Sequence, residues 1–189
     1  MSFLGLLLFR FVFDSRLPSS KKNKGNCKRW ADGPKSHGEY IASTMIQRFM
    51  DHDGGYLFDN VILSDGRDID HIYVSRRGIF FINTMGEPGS YLGTDENDEW
   101  VRLTPNKEKQ IIASPALVNQ DYIDTFSALL GPIHDQRNVV FFTNADFTKV
   151  MSKHAMSAMT FPNVCLRLPI VLSDEEIYEY ASRIISKTH

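Results

Sequence analysis

Any chemistry in this sequence starts from Asp70. It stands in the run Asp68 to Ser75, where Ile69, His71, Tyr73 and Ser75 alternate with Asp70, Ile72 and Val74. That period of two is a strand with two different faces. Arg76-Arg77-Gly78 follows as a polar turn, with Gly78 free to take a positive φ. Ile79-Phe80-Phe81-Ile82 is then continuously apolar, as expected of a strand covered on both faces. The hairpin sets the Asp70 carboxylate on one strand, with Asn83 and Met85 on the next. Other reactive residue types are less promising. Asp95, Glu96, Asp98 and Glu99 carry the charge to attract calcium but lack the ligand spacing of a known loop, so they read as a solvated loop. His71, on the face opposite Asp70, reads as structural, because none of His37, His52, His134, His154 and His189 is spaced to help it. Cys27 and Cys165 are far apart and have no neighbouring ligand residues, which excludes a disulfide framework and a cysteine-based zinc site and suits a reducing compartment.

The elements that must hold this hairpin can be read on either side of it. Ile41, Met45 and Phe49 recur every four residues, with Ala42, Ile46 and Met50 beside them, so residues 37–52 read as a helix opened by Gly38-Glu39. An acid in that first turn complements the helix dipole. Tyr56 to Leu63 reads as a strand, and residues 64–67 as a turn into the hairpin. Ser90 to Gly93 and Glu99 to Leu103 read as a small hairpin, with Trp100 as its packing anchor. Residues 104–114 read as a loop. Pro115 suits the first turn of a helix to about Leu130, with Leu117, Tyr122, Phe126, Leu129 and Leu130 as its apolar face. Val139 to Phe142 reads as a buried strand, residues 146–158 as holding a short helix, and Val164 to Leu168 as a short strand. Ser173 with Glu176 three residues later forms a capping box for a last helix, whose inner face is Ile177, Tyr180, Ala181, Ile184 and Ile185. Tight turns imply antiparallel neighbours, and a strand reached across a helix implies a parallel one. The expected fold is therefore α/β, a central mixed sheet flanked by helices.

The chain has 189 residues, 42% of them hydrophobic, enough for one domain with a real core. We divide it into residues 1–36, an apolar segment and basic linker, and residues 37–189, the folded domain. Residues 1–36 carry eight Lys/Arg and two acids, so +6; the remainder, with thirteen basic against twenty-one acidic residues, is −8. A body this acidic is not a general polyanion binder, and the arm at residues 21–29 is the better candidate for gripping phosphate. The apolar run 3–13 contains Arg10 and is too short to span a bilayer. It lacks the flanks of a signal peptide. Docked on the core it is structural; joined to the lysines that follow, it is a two-signal anchor for an anionic membrane.

The order and spacing of these motifs resemble the nuclease-related domain (NERD) family, whose fold is similar to the restriction-endonuclease core. The resemblance runs over about residues 37–143. It is carried by Gly38-Glu39, Ile69-Asp70-His71, Val74-Ser75, Gly78-Ile79-Phe80, Ile82-Asn83-Thr84-Met85, Gly93, Trp100, Pro115 and Asn119-Gln120. It implies an acid on the first hairpin strand and a Glu-x-Lys on the second. In such a site two carboxylates hold Mg²⁺, which polarises the phosphate and activates water, while the lysine stabilises developing charge. On this basis Asp70 matches the first acid and Glu39 the helix carboxylate, both as metal ligands, and Gln120 matches a position near the cleft. Asn83 stands where the second acid is expected, and Met85 where the lysine is expected. Asn83 retains a neutral carbonyl oxygen; Met85 can neither carry charge nor donate. Replacements would have to come from Glu87, against which Gly86 and Pro88 argue, or from Lys107, Lys109 or the N-terminal arm.

Three functions follow. The first is a catalytically degenerate nuclease-related domain that serves as a nucleic-acid-associated binding or scaffold module, meeting DNA through the 21–29 arm or the Asp70 cleft. The second is a Mg²⁺-dependent DNA endonuclease with a rearranged site. The third is an interaction protein held at an anionic membrane by residues 3–29. The expected location is cytoplasmic, peripheral to the membrane in the third case.

Overall fold

The computed structural model describes residues 29–30, 36–63, 65–131, 133 and 135–187. The expectations placed on residues 1–28 lie outside these, as do those for the side chains of Leu129 and Leu130. The elements are β1 (Arg29–Trp30), α1 (His37–Asp53), β2 (Tyr56–Ile62), β3 (Asp68–Ser75), β4 (Gly78–Met85), β5 (Ser90–Thr94), β6 (Glu99–Leu103), β7 (Lys109–Ala113), α2 (Pro115–Leu130), β8 (Gln136–Phe142), β9 (Asp146–Met151), β10 (Ala155–Ser157), a 3₁₀ turn (Ala158–Thr160), α3 (Phe161–Cys165) and α4 (Asp174–Lys187).

The central sheet has six strands in the order β1-β2-β3-β4-β8-β10. β2, β3 and β4 are joined by tight turns and run antiparallel, whereas β8, reached through α2, lies parallel to β4. The continuous apolar run of β4 divides cleanly between two cores. Ile79 and Phe81 meet Ile123 and Phe126 of α2 and Ile177, Tyr180 and Ile184 of α4. Phe80 and Ile82 meet Ala42, Ile46 and Phe49 of α1 and Phe161 of α3. Burying such a side chain contributes about 1.5–3 kcal/mol, so helices on both faces are what a run of four apolar residues demands. The Ser173–Glu176 capping box forms as expected: each residue's backbone amide donates to the other's side chain.

A second sheet, ordered β7-β6-β5-β9, packs on the end of the first through Tyr91, Trp100, Val140 and Phe142. Trp100 is fully buried, and its indole donates to the Thr94 carbonyl at 2.9 Å. The ring lies so close over Gly93 that a Cβ there would be 2.3 Å from it, which explains both residues at once.

Four segments differ from their sequence reading. Arg29 and Trp30, placed in the basic linker, form β1 and pair parallel with β2. Residues 109–113 form an edge strand, not a loop; its burial is almost entirely exposed, so no alternation marks it. Residues 146–158 contain strands β9 and β10, not a helix. The apolar residues Phe147 and Val150 are three apart, a helical spacing, but a register shift opposite Ser90 and Leu92 lets both reach the same core. Residues 164–168 are the end of α3 and a turn, not a strand: Pro162 sits in the first turn, and Phe161 and Cys165 bury one face four residues apart. In α2 the inner face is Ala116, Asn119, Ile123 and Phe126, while Leu117 is 41% exposed on the outer side.

Candidate functional site

Asp70 lies near the start of β3, where the ladder is interrupted. Register on either side pairs Asp59 with His71 and Val61 with Ile69, which sets Asn60 opposite Asp70. Asn60 has φ 51°, a left-handed backbone that asparagine tolerates better than most residues. One oxygen of the Asp70 carboxylate accepts the backbone amide of Thr84 at 2.6 Å, so the acid is fastened across to β4 just after Asn83. Burial raises the Asp70 carboxyl to about 6; the Thr84 amide and His71 oppose the shift, while Glu39 and Asp68 add to it.

Glu39 comes within electrostatic range of Asp70 because α1 begins in contact with the end of β4. A Cβ on Gly38 would lie 2.5 Å from the Cα of Gly86, so neither position tolerates a side chain without moving the helix. The helix start is fixed by Ser36, whose hydroxyl accepts the Glu39 amide at 3.2 Å. Gly38 and Gly86 looked like a helix start and a strand break in the sequence; their contact is what sets Glu39 beside Asp70.

Asn83 and Met85 follow on the same strand, both half-buried. Met85 packs against an apolar cluster of Tyr91, Trp100, Ala116, Val140 and Phe142. Glu87 is ion-paired with Arg102, which also donates to the Pro88 carbonyl at 3.0 Å and to Gln110 at 3.1 Å. Lys107 lies in the turn before β7 and Lys109 in β7, on the far strand of the small sheet. Gln120 is exposed on α2: its amide donates to Asp124 at 3.0 Å and its carbonyl accepts from Asn138. The structure thus brings Asp70, Glu39 and Asn83 to one region, puts Met85 into an apolar cluster and engages Gln120 with Asp124 and Asn138. Among the described residues, no group of three or more His, Cys, Asp or Glu side chains could share a metal ion.

Neighbouring polar residues are structural. Asn119 is fully buried and its amide spans β4 and β8, donating to the Phe81 carbonyl at 2.8 Å. His71 Nδ1 lies 2.7 Å from Asp59, and both side chains are fully buried beneath α1. Sequence reading did not single out Asn60, Arg67 or Tyr122. Asn60 left one signal, a polar Asp-Asn pair inside an otherwise apolar strand.

A mixed sheet between helices, with a carboxylate at the mouth of its central hairpin, is the α/β architecture of restriction-endonuclease-like cores. The chain belongs to the nuclease-related domain (NERD) family, whose sequence profile matches residues 34–143. No curated protein and no solved structure matches the chain at a significant level.

Proposed function

We propose that this nuclease-related domain is catalytically degenerate and works as a nucleic-acid-associated binding module. The observation that carries the reading is the fate of position 85: the side chain standing where a lysine would meet the phosphate is a methionine in the Tyr91–Trp100–Phe142 cluster. A charged group there would have to leave that cluster. Of the substitutes the sequence offers, Glu87 pairs with Arg102 and Lys109 lies on the edge strand of the second sheet. The metal that the family implies is poorly served. Asp70, Glu39 and Asp68 do not form a group able to share a metal ion, Asn83 is neutral, and burial draws Asp70 toward its protonated form. This donor set does not fit a magnesium centre with a basic partner. The domain body is acidic, so nucleic acid would be held by hydrogen bonding and shape at the cleft, assisted by the basic 21–29 arm.

The test is a mobility shift with short single-stranded and duplex DNA, run beside plasmid nicking in Mg²⁺ and Mn²⁺. Binding without nicking is expected. Metal-dependent nicking that Asp70→Ala abolishes would establish the rearranged-endonuclease reading instead. The apolar run 3–13 with the lysines behind it favours a second role at anionic membranes. Flotation with phosphatidylserine vesicles that is unchanged on deleting residues 1–29 would remove it. No described helix is long and apolar enough to cross a membrane.

A further inference from the structure

A cleft of about 410 Å³ opens between the start of β3 and the first turns of α2, within the range of about 300–1,000 Å³ typical of small-ligand pockets. We infer that it is a subsite for one unpaired nucleobase, an inference that rests on the nucleic-acid reading above. Arg67, Asp98, Ser114, Leu117, Asp121 and Tyr122 are among its lining residues. It adjoins the Asp70 site through Tyr122, whose hydroxyl feels the charges of Arg67, Asp68 and Asp70 together.

Three features select a base over a phosphate. First, the cleft has a flat platform. The Arg67 guanidinium lies over the Tyr122 ring, 5.1 Å from its centre, and donates to Asp65, Asp121 and Thr125. Its donors are thus engaged within the protein, leaving the planar face for a ligand, and bases stack on guanidinium planes as they do on aromatic rings. Second, the lining holds two carboxylates, Asp98 and Asp121, against the single cation Arg67, which repels a free anion. Carboxylates accept from amino groups on base edges, as Asp and Glu do from the N4 of cytosine; guanine also offers donors, whereas thymine offers an acceptor and a methyl group in place of an amino group. Third, Ser114 is fully buried, yet its hydroxyl has no partner among the described residues and does not cap the helix it precedes. An unsatisfied buried hydroxyl is costly, and a local shift that brings it to the cleft would let a ring nitrogen or carbonyl of a bound base satisfy it.

The experiment is an amide NMR titration of the full chain with deoxyguanosine, deoxycytidine and thymidine, then with their 5′-monophosphates and a short single strand. Shifts confined to Arg67, Asp98 and residues 113–122 are expected, with guanine and cytosine bound at least about threefold tighter than thymine, and the added phosphate changing affinity less than about twofold. Ser114→Ala should weaken guanosine binding by about fivefold or more. Leu117→Arg, a surface change that sets a cation one helical turn before Asp121, should remove the base preference while leaving the fold intact. Phosphate-driven binding without base preference would overturn the inference in favour of an anion at the helix start. Binding of the single strand with residues 113–122 unmoved would overturn it too, while leaving the nucleic-acid reading in place. Nucleosides held in the cleft by a chain that binds no oligonucleotide would uphold the subsite and refute that reading.

Discussion

The two faces of one hairpin carry two acids with opposite treatment, Asp59 fully buried and Asp70 half-buried. Asp59, on the α1 side, has both oxygens partnered: His71 Nδ1 at 2.7 Å and the Ser43 hydroxyl at 3.3 Å. Asp70, on the α2 side, has one backbone amide and two acidic neighbours, Glu39 and Asp68, and burial lifts its carboxyl to about 6. The first is an acid the fold has satisfied. The second is an acid the fold holds against its preference, and such groups gather at functional sites. The inventory of partners therefore separates the structural carboxylate from the functional one here.

The sharpest way to break this contrast is Asp59→Ala. It strips His71 of its partner in a site with no solvent, and removing one member of a buried charged or hydrogen-bonded pair costs roughly 3–5 kcal/mol. Urea denaturation at pH 7 should show that loss. A change below about 1 kcal/mol would mean that the Asp59–His71 contact contributes little to stability.

Asp70→Asn should act in the other direction. The folded carboxyl sits at about 6 against an ordinary 3.8, so its contribution to stability is fully present below 3.8 and is lost as pH rises through 6. Asparagine keeps an oxygen for the Thr84 amide and does not titrate. The variant should match the parent near pH 3.5 and exceed it by on the order of 2 kcal/mol at pH 8, measured by denaturation across that range. Equal stabilities at both ends would place Asp70 in the same class as Asp59.

Both acids lay in plain view in the sequence, but only one was singled out. Asp70 was legible because a resemblance to nuclease-related domains pointed at it, and because strand alternation showed which residues share its face. The hairpin, the flanking helices and the strand directions were legible for the same reason: β4 has one apolar run and two faces to cover, and short turns fix antiparallel pairing. Asp59 was not legible as a partner, because its ligand His71 is twelve residues away on another strand and no local pattern links them. The small sheet was half legible. Trp100 and Gly93 announced β5 and β6, whereas β7 hides at an exposed edge and β9 carries a register shift that imitates a helix. Glu39 was legible beside Asp70 only through the resemblance, which made both metal ligands; no local pattern showed it, since their proximity depends on Gly38 touching Gly86.

The smallest effect tests what holds Asp70 at its raised value. Burial is the leading cause, and the charge on Glu39 is a lesser one, ranked after the opposing Thr84 amide and His71. Glu39→Gln removes that charge and leaves the Ser36 cap on the backbone amide of residue 39 untouched. Carbon-detected NMR of the Asp70 carboxyl should then show its pKa fall by less than about one unit, still above the ordinary carboxylate range. A fall all the way to 3.8 would mean that the neighbouring acid, not the dry environment, sets the proton affinity. The site would then be a repelling pair open to water, a better host for a divalent cation than the structure otherwise supports.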